Sequence, residues 1–189
     1  MQKIAIPCVI LAGGKSSRLG TDKTQIAFGQ HTLSQWVFMR LSVLFESLYI
    51  SAKTRDKFQF EAPFLIESSS IYAPMVGMIN AFKKLDTQEI MFLSVDTPFI
   101  TCATLHNIAL ANAPIVYAQS AHKAHYLISK WHKSMLDTLI WAYKAKNYAL
   151  HRIIESHPYQ SIAATEEECL NINTMDDYRE ALKVYEDME

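Results

Sequence analysis

Cysteine is scarce in the 189-residue chain: Cys8, Cys102 and Cys169 stand far apart, and none belongs to a CxxC pair. That spacing argues against a disulfide framework or a structural zinc site, and a cytoplasmic setting is the expectation. Long apolar runs are missing too; no stretch approaches the roughly 20 residues a transmembrane helix requires, so no membrane partner is expected. Nor is there an excess of one charge, since 18 basic residues against 19 acidic ones leave a formal net charge of -1. Such a chain has no polybasic footprint for coating nucleic acid, although a small anionic ligand needs only a few local donors. Repeats, low-complexity tracts and linkers are also absent. What remains is 50% hydrophobic. Its length suits one domain, residues 1–189, around one large core.

The apolar pattern alternates between two periods. MQKIAIPCVILAGG has the short apolar run of a secretion signal, but Gly-Gly-Lys-Ser-Ser-Arg stands where cleavage would fall. It reads as a buried first strand, well paired only after Pro7, which cannot donate to a ladder. Strands are expected at Leu48–Ala52, Pro63–Ile66, Ile90–Val95, Ile115–Ala118 and Tyr126–Ser129. Helical spacing predicts helices over Thr32–Phe45, Pro74–Leu85, Thr101–Ala111, Ala149–Ser156 and Asp176–Tyr185, with a further stripe from Met135 to Tyr143. Thr101 or Thr104 is a candidate N-cap for the third of these helices, and Thr174 for the last. Glu166–Glu168 reads as a solvated acidic turn. Strands alternating with helices indicate an α/β three-layer fold with a mostly parallel sheet. Ligands of such sheets bind beyond the carboxyl ends of the strands: after Leu11, Ala52, Ile66 and Val95.

Directly after the first strand stands LAGGKSSRLGTDK, from Leu11 to Lys23. Glycines let backbone N–H groups approach phosphate oxygens, and Lys15, Arg18 and Lys23 add positive charge. Neither of two common phosphate motifs fits. Walker A needs Gly where Val9 stands, and G-x-G-x-x-G needs Gly at Lys15. Asp96, closing the Ile90–Val95 run, suits either a hard cation or an N-cap. Asn171 and Asn173 flank Ile172, so an extended segment would turn both amides to one side. His122 and His125 are spaced as a metal pair, but no third ligand is evident.

The Leu11–Lys23 segment fills every fixed position of LAGGxSxRLGxDK and resembles the opening of the molybdenum cofactor guanylyltransferases, the MobA-like family. APMVGMINAF (Ala73–Phe82) resembles that family's GPLAG segment, FLSVDTPFI (Phe92–Ile100) its Asp-x-Pro strand end, and NINTMDDY (Asn171–Tyr178) its NxNTPED segment. Residues 103–160 match only loosely. The resemblance implies a Rossmann-like nucleotidyltransferase domain that carries GMP from GTP to the phosphate of molybdenum-molybdopterin. Leu11, Ala12, Gly13 and Gly14 would contact the nucleotide through main-chain groups, with Ser51 and Glu67 beside it. Lys23 and Arg18 would grip phosphate, and Asp96 would ligate Mg²⁺. Asn171, Asn173 and His125 would face the pterin, and insertion chaperones of molybdenum enzymes would be downstream partners.

Several positions depart from the family pattern. Glu67 stands for Asp, Ser51 for the usual Asn, Ala73 for the first Gly of GPLAG, Val76 for its small Ala, and Tyr126 for the Pro of the family's His-Pro at His125. If Ala73 needed a positive φ it would be strained, so either that position does not need Gly or the loop differs. These departures leave rival readings open. One is a cytidylyltransferase on the same pterin. Others are a nucleotidyltransferase on another phosphorylated acceptor, and a non-catalytic GTP-binding adaptor.

Overall fold

The computed structural model describes residues 2–14 and 22–188. The expectation for Arg18 lies outside the described residues. In chain order the strands are β1 (Cys8–Leu11), β2 (Ala27–Phe28), β3 (His31–Thr32), β4 (Leu48–Ala52), β5 (Phe64–Ile66), β6 (Glu89–Ser94), β7 (Ile115–Gln119), β8 (Ala124–His132) and β9 (Tyr159–Ala163). The helices are α1 (Leu33–Ser42), α2 (Pro74–Lys84), α3 (Cys102–Leu110), α4 (Leu136–Lys144), α5 (Leu150–Glu155) and α6 (Met175–Met188). The main sheet has the order β5-β4-β1-β6-β8-β7-β9. Every pairing that excludes β8 is parallel, and β8 runs antiparallel to both neighbours.

The central strands are apolar throughout because both faces are covered. Along β1, Cys8 and Ile10 join the core beneath α1, α3 and α6, while Val9 and Leu11 join the core beneath α2, α4 and α5. β6 divides in the same way, with Met91 and Leu93 on one side and Ile90 and Phe92 on the other. The result is the three-layer α/β arrangement expected from the sequence. As its missing donor requires, Pro7 precedes the ladder, and its carbonyl accepts from Met91 N at 2.9 Å.

Local chemistry sets the helix starts. Thr32 caps α1 by accepting from Gln35 N, and Thr101 caps α3 by accepting from Thr104 N. Pro74 opens α2, where its lack of an N–H costs nothing. At α6 the box is reciprocal: Thr174 N donates to Asp177 Oδ2 at 2.8 Å, and Asp177 N donates to Thr174 Oγ1 at 3.2 Å.

Two features escape the apolar pattern. β9 is an edge strand whose residues are mostly exposed, so it carries no buried stripe to read. The β2–β3 hairpin turns at Gly29, with φ +59°. Its Phe28 is fully buried against Trp36, Phe99 and Tyr185, with ring centroids 5.0, 6.1 and 5.1 Å away. Burial of such a ring contributes about 1.5–3 kcal/mol. Tyr178 of α6 donates to Ala27 O at 2.6 Å, so the last helix holds the hairpin in place.

Candidate functional site

The carboxyl ends of β1, β4, β5 and β6 open on one edge of the sheet, and the chain's chemistry gathers there. Lys23 lies in a short 3-10 turn, Lys23–Gln25, whose N-cap is Asp22. The turn is anchored twice: Lys57 pairs with Asp22 at 2.7 Å, and Ser34 Oγ donates to Thr24 O at 2.7 Å. Burial opposes ionisation of Asp22, but the Lys57 ammonium and the Thr24 hydrogen bonds outweigh it and hold the carboxyl below its usual range. From this turn Lys23 Nζ reaches Asp96 Oδ2 at 3.0 Å and Asn173 Oδ1 at 2.6 Å. Asp96 follows β6, and its backbone carbonyl accepts from Ile172 N at 2.8 Å. That bond lays the Asn171–Asn173 segment beside the strand end.

Asp96 is not a helix cap; Thr101 fills that role for α3. Its Oδ1 is buried and has no hydrogen-bond partner among the described residues. A buried carboxylate oxygen left unpaired costs free energy, and a hard cation would satisfy it. No group of three or more His, Cys, Asp or Glu that could hold a metal occurs among the described residues. A carboxylate oxygen is the kind of donor Mg²⁺ favours, and Asp96 would be the residue to hold it. A cavity of about 70 Å³ opens beside this carboxylate, lined by Leu11, Ala12, Gly14 and Lys23 among others.

The neighbouring strand ends form a second part of the site. Ala12 N donates to Ser51 O at 2.9 Å, continuing the β1–β4 ladder into the glycine loop. Ser51 is fully buried, and its Oγ donates to Glu67 Oε1 at 2.8 Å. Glu67 Oε2 pairs with Lys53 Nζ at 2.7 Å. The carboxylate lies between two glycines: a Cβ on Gly13 would stand 2.8 Å from Glu67 Oε1, and one on Gly77 would stand 3.1 Å from it. Ala73 has φ −143° and ψ 140°, extended backbone open to any residue. The alanine therefore costs no strain at this position.

On the far side of Asp96, Asn173 Nδ2 donates to Asn171 Oδ1 at 2.7 Å. The two amides face each other, as alternation in an extended segment requires. Cavities of about 480 and 280 Å³ flank the segment and share Lys123, His125 and Asn171 in their walls. His125 is buried, with Nε2 3.0 Å from Ser120 Oγ. Burial, aided by the Lys123 charge, lowers its pKa and favours the neutral imidazole.

The family described as the MobA-like NTP transferase domain matches residues 8–162. The chain belongs to this family. It is 38% identical over 188 residues to the molybdenum cofactor guanylyltransferase of Helicobacter pylori strain G27, covering 95% of this chain and 92% of that protein. Its counterpart in Campylobacter jejuni serotype O:6 is 31% identical over 143 residues, covering 73% and 74%. Among solved structures, molybdopterin-guanine dinucleotide biosynthesis protein A from Archaeoglobus fulgidus superposes with a TM-score of 0.84 at 18% identity, covering 97% of this chain and all of that one. That likeness shows the fold. MobA-like nucleotidyltransferases generally use a divalent metal, and the unpaired Asp96 oxygen suits one.

Of the residues expected to act in this MobA-like site, Lys23, Asp96, Asn171 and Asn173 form one connected network. Leu11, Ala12, Gly13 and Gly14 border it from β1. Ser51 points to Glu67 and is closed to solvent, so it shapes the pocket through that carboxylate. Sequence reasoning missed Lys53 and Lys123. Lys53 lies two residues beyond Ser51, on the same face of the strand end, and that spacing is the signal that could have found it. The acidic turn needs correction: Glu168 is not merely solvated. It accepts from Thr101 N at 3.2 Å, Thr104 Oγ1 at 2.7 Å and Thr165 N at 2.9 Å, and from Thr101 Oγ1. Its carboxyl is held at about 2 because those bonds outweigh the burial that opposes them.

Proposed function

We propose that the protein transfers GMP from GTP to the phosphate of molybdenum-molybdopterin, giving the guanine dinucleotide cofactor and pyrophosphate. The observation that carries the reading is the Lys23 junction. One ammonium bridges Asp96, at the nucleotide edge of the sheet, and Asn173, on the segment facing the larger cavities. Both substrates would thus meet at a single charged group. The names of the relatives from H. pylori and C. jejuni support the same donor and acceptor.

The main chain of Leu11–Gly14 would seat the nucleoside against Glu67. Lys23 would turn from Asp96 to the phosphates and stabilise charge as it moves to the departing pyrophosphate. Arg18, five residues before Lys23 in sequence, would add a second cation. Asp96 Oδ1 would hold Mg²⁺, which when bound neutralises phosphate charge. Asn171, Asn173 and His125 would orient the acceptor. Its phosphate oxygen would attack the α-phosphorus in line, forming one P–O bond as the bond to pyrophosphate breaks. No covalent enzyme adduct is required.

Residues 1–189 would act as one domain in the cytoplasm and pass the product to insertion chaperones of molybdenum enzymes. No helix among the described residues is long and apolar enough to cross a membrane. The test is pyrophosphate release from purified metal-loaded molybdopterin, with GTP, CTP, UTP and ATP in parallel and Mg²⁺ present. Release with GTP alone, lost in Asp96→Ala, is the expected result. Release with CTP alone would replace the donor, and binding of GTP without release would leave an adaptor.

A further inference from the structure

Glu67 presents a physical problem that Lys53 solves. A carboxylate whose side chain is only 4% exposed lies against Gly13, on the loop that would receive a nucleoside triphosphate. Unpaired, that buried charge would be costly and would repel the triphosphate.

The register of the sheet supplies the partner. Ala52 pairs with Ile66 in the parallel β4–β5 ladder, and Glu67 N donates to Ala52 O at 2.9 Å. Lys53 therefore stands beside Glu67 where both strands leave the sheet. Its Nζ is 2.7 Å from Glu67 Oε2, 2.6 Å from Ser69 O and 2.7 Å from Ile71 O. Each ammonium proton thus has an acceptor. The ammonium also sits 5.4 Å from the centre of the Tyr72 ring. One side chain neutralises the carboxylate and ties down the loop that leads into α2.

The longer arm of Glu67 gains meaning in this setting. Its Oε1 is fixed by Ser51 and its Oε2 by Lys53, while Gly13 and Gly77 leave room for it. Each carboxylate oxygen keeps a second lone pair for an N–H or O–H of the nucleoside.

We propose that Lys53 is a positioning residue for the nucleotide, acting through Glu67: it neutralises that carboxylate and holds it aimed at the nucleoside beside Gly13. The inference rests on the nucleotidyltransferase reading above and adds a determinant of nucleotide affinity to it. Lys53 does not touch the reacting phosphates. Its removal weakens binding of the ground state and the transition state alike, which raises KM and spares kcat.

The experiment measures calorimetric binding of Mg-GTP and Mg-CTP, together with steady-state pyrophosphate release. It uses the full-length protein and its Lys53→Gln, Lys53→Arg and Glu67→Gln variants, plus the Lys53→Gln/Glu67→Gln double variant. Thermal unfolding confirms that each is folded. Lys53→Gln is expected to raise Kd and KM about tenfold, with kcat within about twofold of wild type. Lys53→Arg, which keeps the charge, is expected to recover most of the affinity. In the Glu67→Gln background the Lys53 change is expected to add less than about twofold, because the two residues act as one unit.

An unchanged Kd in folded Lys53→Gln would overturn the proposal, as would an equal loss in the Glu67→Gln background or a fall in kcat with KM intact. If Lys53→Gln does not fold, Lys53→Arg and the double variant, which carries no unpaired charge, decide by the same criteria. Binding of CTP in place of GTP by the wild type would correct the function and leave this test standing on CTP. Binding of neither would overturn both readings.

Discussion

Replacing Glu168 by Gln removes one charge from a junction that joins the Thr165–Leu170 turn to the start of α3. The carboxylate accepts from Thr101, Thr104 and Thr165. Its pKa is held at about 2 against an ordinary value of 4.5. Taken at face value, a displacement of that size is worth about 3 kcal/mol. The group is partly solvated, so screening reduces the contribution to about 1–2 kcal/mol. For a chain of this size that corresponds to a fall in Tm of about 2–8 °C at neutral pH. Because the folded-state pKa is depressed, the stabilisation is fully present above the unfolded value near 4.5. It drains away as pH falls toward 2. Thermal unfolding of wild type and Glu168→Gln, measured from pH 7 down to pH 3, should show a gap that narrows only below about pH 5. A gap independent of pH, or none at pH 7, would refute the assignment of this turn as a charged clamp.

Other expectations concern the site and its packing. Gly77→Ala places a methyl group 2.7 Å from Leu11 Cδ2 and 2.9 Å from Ser51 Oγ. It should cost about 1–3 kcal/mol in urea unfolding and weaken nucleotide binding; a neutral result would show that α2 can shift freely. Asn173→Ala removes the acceptor 2.6 Å from Lys23. It should lower pyrophosphate release about 10- to 100-fold while Mg-GTP binding changes less than about threefold, which calorimetry beside the kinetic assay would check. Among the cysteines, Cys8 is fully buried with its thiol pushed far up, and burial pushes the buried Cys169 thiol up to about 11. A disulfide reagent at pH 8 should label half-buried Cys102 alone in the native protein and all three thiols after denaturation.

The parts of the molecule legible in sequence are those governed by near neighbours. The helical stripes, the buried strand runs and Pro74 in the first turn of α2 all follow from spacings of two to four residues; the α3 cap was narrowed to Thr101 or Thr104, and the structure decides for Thr101. The strands from Leu48 to Ala52 and from Ile115 onward begin where their apolar patterns predict. β9 was illegible for the same reason. An exposed edge strand buries nothing, and its ladder is supplied by β7, far away in sequence. The antiparallel insertion of β8 between β6 and β7 likewise depends on pairing, not on any local pattern.

The site divides along the same line. The glycine loop, Lys23, Asp96 and the paired asparagines could each be named from the chain, because phosphate chemistry at a strand end demands particular residue types at particular spacings. Sequence alone thus determined the α/β class, the ligand edge of the sheet and most of the polar groups on it. Tertiary structure decided which groups meet. Lys23 bonds Asn173 across 150 residues, and Lys53 neutralises Glu67, whose partner the sequence did not name. The polar turn near residue 168 became a clamp on α3. Hydrogen bonds and ion pairs act over about 3 Å, and only the packed sheet brings such distant residues within that reach.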